Sequence, residues 1–181
     1  MNKQNIIISG DLTVSLQEVI NSFSYDKLFL LTDEHTYNLC LPLLNDVVLL
    51  QQAVVLKIGA GDVHKTLQTL SDVWAELSNG EATRHSLFIN LGGGMITDLG
   101  GFAASTFKRG MHYINIPPTL LSMVDAAVGG KTGINFNGLK NEIGVFSPAD
   151  VVLISAEFLK TLDLSNFFSG YAEMLKHGLI S

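Results

Sequence analysis

Short apolar, β-branched segments alternate along the chain with longer stretches of mixed polarity, and this alternation constrains the fold more than any other feature. Strands are predicted at residues 5–8, 28–32, 53–58, 87–91, 113–116 and 151–154. Helices are predicted at residues 12–23, after residue 34, and at residues 63–77, 95–107 and 119–128. Strands that alternate with helices form parallel sheets, because each connecting helix covers one sheet face. The sequence therefore predicts an α/β fold, a Rossmann-like sheet with crossover helices.

Two later regions depart from this alternation. From residue 129 to residue 148 the periodicity gives way to glycine, asparagine and lysine. Inside a compact domain such a region is more often a functional loop than a linker, so a loop is predicted. Residues 164–181 have the spacing of an amphipathic helix, with no capping glycine or proline beyond it.

The charge distribution limits the ligands that the chain can bind. The formal net charge is −6, whereas wholesale nucleic-acid binding needs a clustered basic surface. Residues 90–141 nevertheless contain four basic side chains and only two acidic ones. This segment could bind a small anion within an acidic protein. No nucleic-acid partner is therefore expected.

The cysteine content and the lack of long apolar runs bear on the cellular compartment. Cys40 is the only cysteine, which excludes an internal disulfide and a thiolate metal cluster and fits a reducing environment. No apolar run approaches the length of a membrane span, and the first residues are too polar for a signal peptide. The protein is therefore expected to be cytoplasmic, with no membrane partner.

The strongest nucleotide-binding signal is SLFINLGGGMITDLGGFAAS, residues 86–105, in which a strand runs into glycines and then a helix. Such a turn lets the backbone approach a pyrophosphate while the helix N-terminus supplies free amides. Gly93, Gly94 and Asp98 are the candidate residues. The spacing differs from the usual dinucleotide fingerprint, so a tight structural turn with a solvated Asp98 is the alternative.

A second candidate segment begins at GGKT, residues 129–132, which ends like a phosphate-binding P-loop. Asp125 stands where that motif requires glycine, and the preceding residues are helical, so an ATPase is excluded. Asp125, Lys131, Lys140 and Asn141 remain as a polar series able to bind a phosphate or a carboxylate. A mobile, solvated loop explains them equally well. Arg109 could likewise simply complement the end of a helix.

The last predicted helix places three polar side chains on one face. Glu173, Lys176 and His177 have i, i+3 and i+4 spacing. A glutamate and a histidine at this spacing can share a metal ion, but catalytic zinc usually has three protein ligands. The sequence shows no third ligand.

Four motifs follow one another along the chain: LGGGMITDLGGFAAS, FKRGMHYINIPPTLLSMVDAAVGGKTGI, GLKNEIGVF and FLKTLDLSNFFSGYAEMLKHG. Together, from residue 87 to residue 178, they resemble the 3-dehydroquinate synthase family. The resemblance implies an NAD- and metal-dependent cyclase of the shikimate pathway that converts 3-deoxy-arabino-heptulosonate 7-phosphate to 3-dehydroquinate and phosphate. Another sugar phosphate cyclase and a glycerol-dehydrogenase-like NAD oxidoreductase are the alternatives.

The resemblance implies roles for individual positions. The NAD contacts that it implies are Asp33, Asp62, Lys65, Gly93, Gly94, Asp98, Thr119, Lys131, Lys140, Phe158, Thr161 and Leu162. The substrate contacts that it implies are Asp125, Lys131, Lys140, Asn141, Lys176 and Arg109, of which the last would reach the phosphate of the partner subunit's substrate in a homodimer. Two positions depart from the family pattern, since Asp62 replaces a glutamate and Pro118 replaces a threonine.

The resemblance also implies a divided metal site and two domains. Glu173 would be one ligand of a zinc or cobalt ion, and the other two ligands would be histidines of a C-terminal helical domain. Residues 1–162 would form the NAD-binding domain, and residues 163–181 the first helix of the otherwise absent helical domain. A polypeptide of these 181 residues is therefore expected to bind NAD without turning over the substrate, a phosphorylated sugar acid.

Overall fold

The computed structural model of the chain describes residues 4–180, and its centre is a six-stranded parallel sheet. The strands are β1 (Asn5–Ser9), β2 (Leu28–Asp33), β3 (Val54–Ile58), β4 (Leu87–Leu91), β5 (His112–Ile116) and β8 (Val151–Ser155). Their spatial order is β1-β8-β5-β4-β2-β3. The predicted α/β fold is confirmed, and no predicted strand end is displaced by more than one residue.

Helices connect the strands of this sheet. The α-helices are α1 (Leu12–Asn21), α2 (Glu34–Leu39), α3 (Leu67–Asn79), α4 (Gly94–Thr106) and α5 (Leu164–Ile180). Short 3-10 turns lie at Leu41–Leu44, Val48–Gln52, Asp62–His64, Phe107–Arg109 and Ala156–Thr161. None of the helices within residues 4–180 has the length and apolar character that crossing a membrane requires.

The sheet has a hydrophobic core on each face. Helices α3 and α4 pack with Phe29, Leu31 and Phe88 on one face, whereas α1 packs with Leu28 and Leu30 on the other. Successive residues of a strand point to opposite faces, so each central strand contributes to both cores. This double coverage explains why the strands appear in the sequence as continuous apolar runs.

The strand order reverses between β2 and β4, which are neighbours in the sheet. From β2 the chain continues outward to β3, whereas from β4 it continues in the opposite direction to β5. In open parallel sheets, ligands bind at such a reversal, in the crevice outside the carboxyl ends of the strands. Asp33 at the end of β2 and the glycines that follow β4 border this crevice.

The segment from residue 129 to residue 148 is an antiparallel hairpin, so its prediction as a loop is wrong. Strands β6 (Lys131–Phe136) and β7 (Leu139–Phe146) are joined by a two-residue turn, Asn137 and Gly138. Both turn residues have positive φ, 49° and 80°. Asn-Gly between apolar residues is a strong hairpin signal, because this pair tolerates positive φ and matches the twist of the strands.

Of the predicted helices, the third and the fifth differ most from the structure. The helix predicted at residues 63–77 begins at Leu67, because the Thr66 hydroxyl caps it by accepting a hydrogen bond from the Thr69 amide at 3.2 Å. The helix predicted at residues 119–128 covers residues 120–126 and contains a π-helical turn, Ser122–Ala126. The predicted C-terminal helix is confirmed as α5, and Ser181 lies outside the described residues.

The hairpin turn leads to a prediction about stability. Gly138→Ala should lower the free energy of unfolding by about 1 kcal/mol, because a Cβ is strained at positive φ even though the surrounding space is open. Chemical denaturation measures this difference. Gly178→Ala is the matched control, since Gly178 lies in α5 in open space without a positive φ, and it should be neutral or stabilising. Equal losses in both variants would contradict the turn conformation.

Candidate ligand-binding site

The turn between β4 and α4 leaves the first amides of the helix accessible. Gly93 is the N-cap residue of α4 and makes no side-chain capping hydrogen bond. A Cβ at Gly93 would meet only Thr119 within 4 Å, at 3.8 Å, so these two predicted cofactor contacts are neighbours. Uncapped amides together with the helix dipole favour a phosphate or another anion at this position.

A buried lysine joins three parts of the chain beside this turn. The Lys65 side chain is only 5% exposed, and its Nζ donates hydrogen bonds of 2.5 Å to Oδ2 of Asp98 and to Oδ1 of Asn141. Asp98 belongs to α4 and Asn141 to β7, so Lys65 fixes the hairpin against the helix. Burial raises the pKa of the Asp98 carboxyl, although the ion pair with Lys65 opposes this effect. Asp98 is therefore not a solvated helix residue, as the alternative of a purely structural turn would require.

A cleft of about 690 Å³ opens between the hairpin and the π-helical turn, next to Asp98. Asp98, Asp125, Lys131 and Asn141 all line this cleft, so the structure brings these four predicted site residues together. Its size suits a small organic ligand. Glu142 also lines the cleft, although no role was predicted for this residue.

Lys140 lies apart from this cleft. Lys131 begins β6 whereas Lys140 follows the hairpin turn, so the two predicted lysines lie at opposite ends of the hairpin. The Lys140 ammonium forms an ion pair with Asp62 at 3.1 Å, and Asn135 donates a hydrogen bond to the same carboxylate at 3.2 Å. The contact with Lys140 lowers the pKa of Asp62. In this conformation the charges of Asp62 and Lys140 compensate each other at the protein surface.

The remaining predicted cofactor contacts lie at or near the carboxyl edge of β2 and β8. Asp33 caps α2, since its Oδ1 accepts a hydrogen bond from the Thr36 amide at 2.8 Å. Thr161 donates a hydrogen bond to the carbonyl of Phe158 at 2.7 Å. The Phe158 side chain is fully buried in the core, whereas Thr161 and Leu162 are half-buried. Any ligand contact of Phe158 must therefore involve its backbone, whereas Thr161 and Leu162 could also offer their side chains.

Three potential metal ligands meet where α5 packs on the π-helical turn. Nε2 of His177 lies 3.4 Å from Oε1 of Glu173 and 3.8 Å from Oδ1 of Asp125. Gly170 permits α5 to pack closely on the segment of the π-helical turn, because a Cβ there would collide with Leu120. A third potential ligand that the sequence did not reveal is therefore Asp125, which belongs to a distant part of the chain.

The geometry of these three side chains fits a divalent metal. One potential ligand atom from each lies within 4.8 Å of the other two. Zinc holds nitrogen and oxygen ligands at about 2.0–2.2 Å, so its ligand atoms are at most roughly 4.4 Å apart, and small side-chain shifts would suffice. Lys176 competes for the site, since its Nζ donates to Oε1 of Glu173 at 2.5 Å. This hydrogen bond raises the pKa of the Lys176 ammonium group.

Arg109 lies at the amino edge of the sheet, opposite the carboxyl edge that the predicted cofactor contacts border. The turn Phe107–Arg109 follows α4 and precedes β5, which places Arg109 near the amino ends of the strands. Arg109 has a positive φ of 70° and lines an open cleft of about 860 Å³ with Arg84 and Asp150. Within one copy of the chain, Arg109 therefore does not join the other predicted site residues.

Comparison with known proteins identifies the family of the chain. Residues 55–169 match the family described as 3-dehydroquinate synthase N-terminal. The chain belongs to the 3-dehydroquinate synthase family. A 3-dehydroquinate synthase of Parabacteroides distasonis is 56% identical over 181 residues, which are 100% of this chain and 51% of that protein. The chain thus spans about half the length of this relative.

Solved structures of related synthases share the fold. A 2-epi-5-epi-valiolone synthase from Streptomyces hygroscopicus, with NAD+ and Zn2+ bound, superposes with a TM-score of 0.86 at 30% identity, over 97% of this chain and 49% of that one. A 2-deoxy-scyllo-inosose synthase complexed with carbaglucose-6-phosphate, NAD+ and Co2+ also has a TM-score of 0.86, at 22% identity, over 94% of this chain and 47% of that one. The second likeness concerns the fold alone.

The buried Lys65–Asp98 pair in this 3-dehydroquinate synthase family member leads to the second prediction. Asp98→Ala should lower the free energy of unfolding by about 1–3 kcal/mol, because it leaves a buried ammonium group without its carboxylate. Asp98→Asn keeps an acceptor oxygen and should cost less. The control is Asp72→Ala, which removes an exposed carboxylate hydrogen-bonded to Gln68 and should change stability by less than about 0.5 kcal/mol. If urea denaturation gave similar losses of unfolding free energy for Asp72→Ala and Asp98→Ala, the Lys65–Asp98 pair would not be important for stability.

Proposed function

We propose that this chain is the NAD-binding part of a 3-dehydroquinate synthase. The observation that carries the proposal is one cleft that contains Asp98, Asp125, Lys131 and Asn141 beside the open N-terminus of α4. The identity with a 3-dehydroquinate synthase over the whole chain supports the same reaction. The substrate would be 3-deoxy-arabino-heptulosonate 7-phosphate, and the products 3-dehydroquinate and phosphate.

The proposed reaction divides the work among the side chains of the cleft. Lys131 would bind an oxyanion of the substrate, and the Asn141 amide would orient a hydroxyl group. The amides that follow Gly93 would hold the pyrophosphate of NAD, with Asp98 fixed beside them by Lys65. Bound NAD would supply a temporary oxidation of one substrate hydroxyl that is reversed before product release, so the reaction has no net redox change.

We also propose that Glu173 holds a divalent metal, with zinc or cobalt as the candidates. Within these residues Asp125 and His177 would join Glu173, since they are the side chains that approach it. The two histidines that the family resemblance implies would belong to the C-terminal helical domain. Lys176 would have to release the Glu173 carboxylate before the metal binds. When bound, the metal would polarise the substrate hydroxyl.

The position of Arg109 supports a homodimer in this proposal. Arg109 lies at the amino edge of the sheet, away from the cleft that holds Lys131. It could therefore reach a substrate phosphate only in a second copy of the chain.

The exposed apolar side chains of α5, among them Phe168 and Leu179, support the assignment of residues 163–181 to a separate helical domain. A single buried cysteine, Cys40, fits a cytoplasmic site of action.

The proposal separates binding of NAD from turnover. The turn at Gly93 is formed within these residues, whereas Asp125, Lys176 and His177 remain 57%, 58% and 43% exposed. Exposed groups cannot exclude water from a reacting substrate. A polypeptide of the 181 residues is therefore expected to bind NAD and to release no phosphate from the substrate.

The proposal is tested by titration of NAD into this polypeptide, followed by calorimetry. Binding is expected, and Gly93→Ala should weaken it at least about tenfold, because a Cβ there blocks the close approach of a pyrophosphate. The fold should tolerate this change, since the nearest atom to the new Cβ is 3.8 Å away. Gly10→Ala is the control, because a Cβ at Gly10 meets nothing within 4 Å and lies outside the site. Absence of NAD binding by the wild type would reject the proposal.

A fourth prediction concerns the metal ligands. Cobalt or zinc titration of the polypeptide should give a binding isotherm that His177→Ala weakens about tenfold or more, because it removes one of three ligands. His35→Ala serves as the control, since His35 is exposed in α2 on a different part of the chain. Equal affinities in wild type and His177→Ala would exclude His177 as a ligand.

A further inference from the structure

Two asparagines face each other inside the sheet, on the face covered by α4. Asn90 of β4 and Asn115 of β5 are register partners, and they are 0% and 4% exposed. Nδ2 of Asn90 donates a hydrogen bond to Oδ1 of Asn115 at 2.9 Å, and Nδ2 of Asn115 donates to the carbonyl of Ala127 at 3.3 Å. A buried chain of hydrogen bonds therefore runs from the middle of the sheet to the end of the π-helical turn.

Stability alone does not account for this pair. Oδ1 of Asn90 is buried and has no hydrogen-bond partner within residues 4–180. It lies against Gly100 of α4, where a Cβ would collide with it. A buried amide oxygen without a partner is unfavourable, and two apolar side chains of similar size would fill the same space without that cost. Unpartnered buried polar groups in a native protein call for a separate explanation.

The carbonyl that Asn115 reaches lies in the segment that carries two of the cleft side chains. Ala127 follows the π-helical turn that contains Asp125, and its amide donates to the Ser122 carbonyl at 3.0 Å. After Ala127 the chain passes through Gly129 and Gly130, both with positive φ, before it reaches Lys131. Glycines provide no side chains that could fix this path.

Gln4 holds the same segment from the outside. Its Nε2 donates to the Ala127 carbonyl at 3.4 Å, and its Oε1 accepts from the Gly129 amide at 3.1 Å. Asn115 and Gln4 therefore hold Ala127 from two directions. Of these contacts, the one with Asn115 is buried and oriented in turn by Asn90. The π-helical turn that precedes Ala127 is of a rare kind that occurs frequently at functional sites.

We propose that Asn90 and Asn115 are positioning residues that hold Asp125 and Lys131 in the cleft through the Ala127 carbonyl. The inference rests on the proposed function only in that it assigns ligand binding to Asp125 and Lys131. The asparagine pair makes no contact with the ligand. It fixes the backbone from which the ligand-binding side chains project.

The test replaces both asparagines with leucine, which is close to them in size, in the 181-residue polypeptide. Urea denaturation of N90L/N115L should give a midpoint equal to or above that of the wild type. Hydrogen–deuterium exchange without ligand should be at least tenfold faster in residues 119–131. The cobalt affinity should fall about tenfold, because Asp125 loses its fixed position. Together these results separate positioning from a general contribution to folding.

The matched control is I89L/I114L, which changes register partners of the same two strands on the opposite sheet face. It should leave exchange in residues 119–131 and cobalt affinity unchanged. If N90L/N115L does not fold, Asn115→Ala is measured in its place. Wild-type exchange rates and wild-type cobalt affinity in a folded variant would overturn the inference. A wild type that binds no cobalt would reject the proposed metal site, and ligand-free exchange would then decide the inference.

Discussion

The rest of the site depends on the hydrogen bonds that the buried ammonium group of Lys65 donates. An ammonium group loses its hydration on burial, and only well-placed acceptors compensate for this loss. Asp98 and Asn141 provide these acceptors, so α4 and the hairpin are both fixed relative to Lys65. The hairpin backbone makes a further contact with the same residue, since the Asn135 amide donates to the Lys65 carbonyl at 2.8 Å. These contacts hold the hairpin beside α4, and the cleft lies between the hairpin and the π-helical turn.

The sequence predicted those elements whose signals are local. Buried parallel strands are continuous apolar runs, and the six strands were therefore located almost residue by residue. The hairpin was not predicted, because glycine, asparagine and lysine interrupt the apolar alternation on either side of Asn137 and Gly138. The π-helical turn at Ser122–Ala126 was not predicted, because an apolar helical pattern does not distinguish a π-helical turn from an α-helical one.

The candidate site was predictable as a set of residues but not as a set of contacts. The motif residues Asp98, Asp125, Lys131 and Asn141 do line one cleft. Their partners come from other parts of the chain, and spacing along the sequence cannot reveal such pairs. The separation of Lys140 from that cleft and the approach of Asp125 to Glu173 both follow from the path of the folded chain. Arg109 is different, because its place between a predicted helix and the following strand already puts it at the amino edge of the sheet.

The pairing of β1 with β8 has a consequence for how the protein folds as it is synthesised. β1 lies at the edge of the sheet, and its register partners are residues 151–155. Such non-local pairing is slow, because a long loop must close before any contact forms. Until β8 emerges from the ribosome, three consecutive isoleucines of β1 remain without a partner strand. Ile8 is still 81% exposed after folding, so the nascent chain carries a strand prone to pair with other molecules.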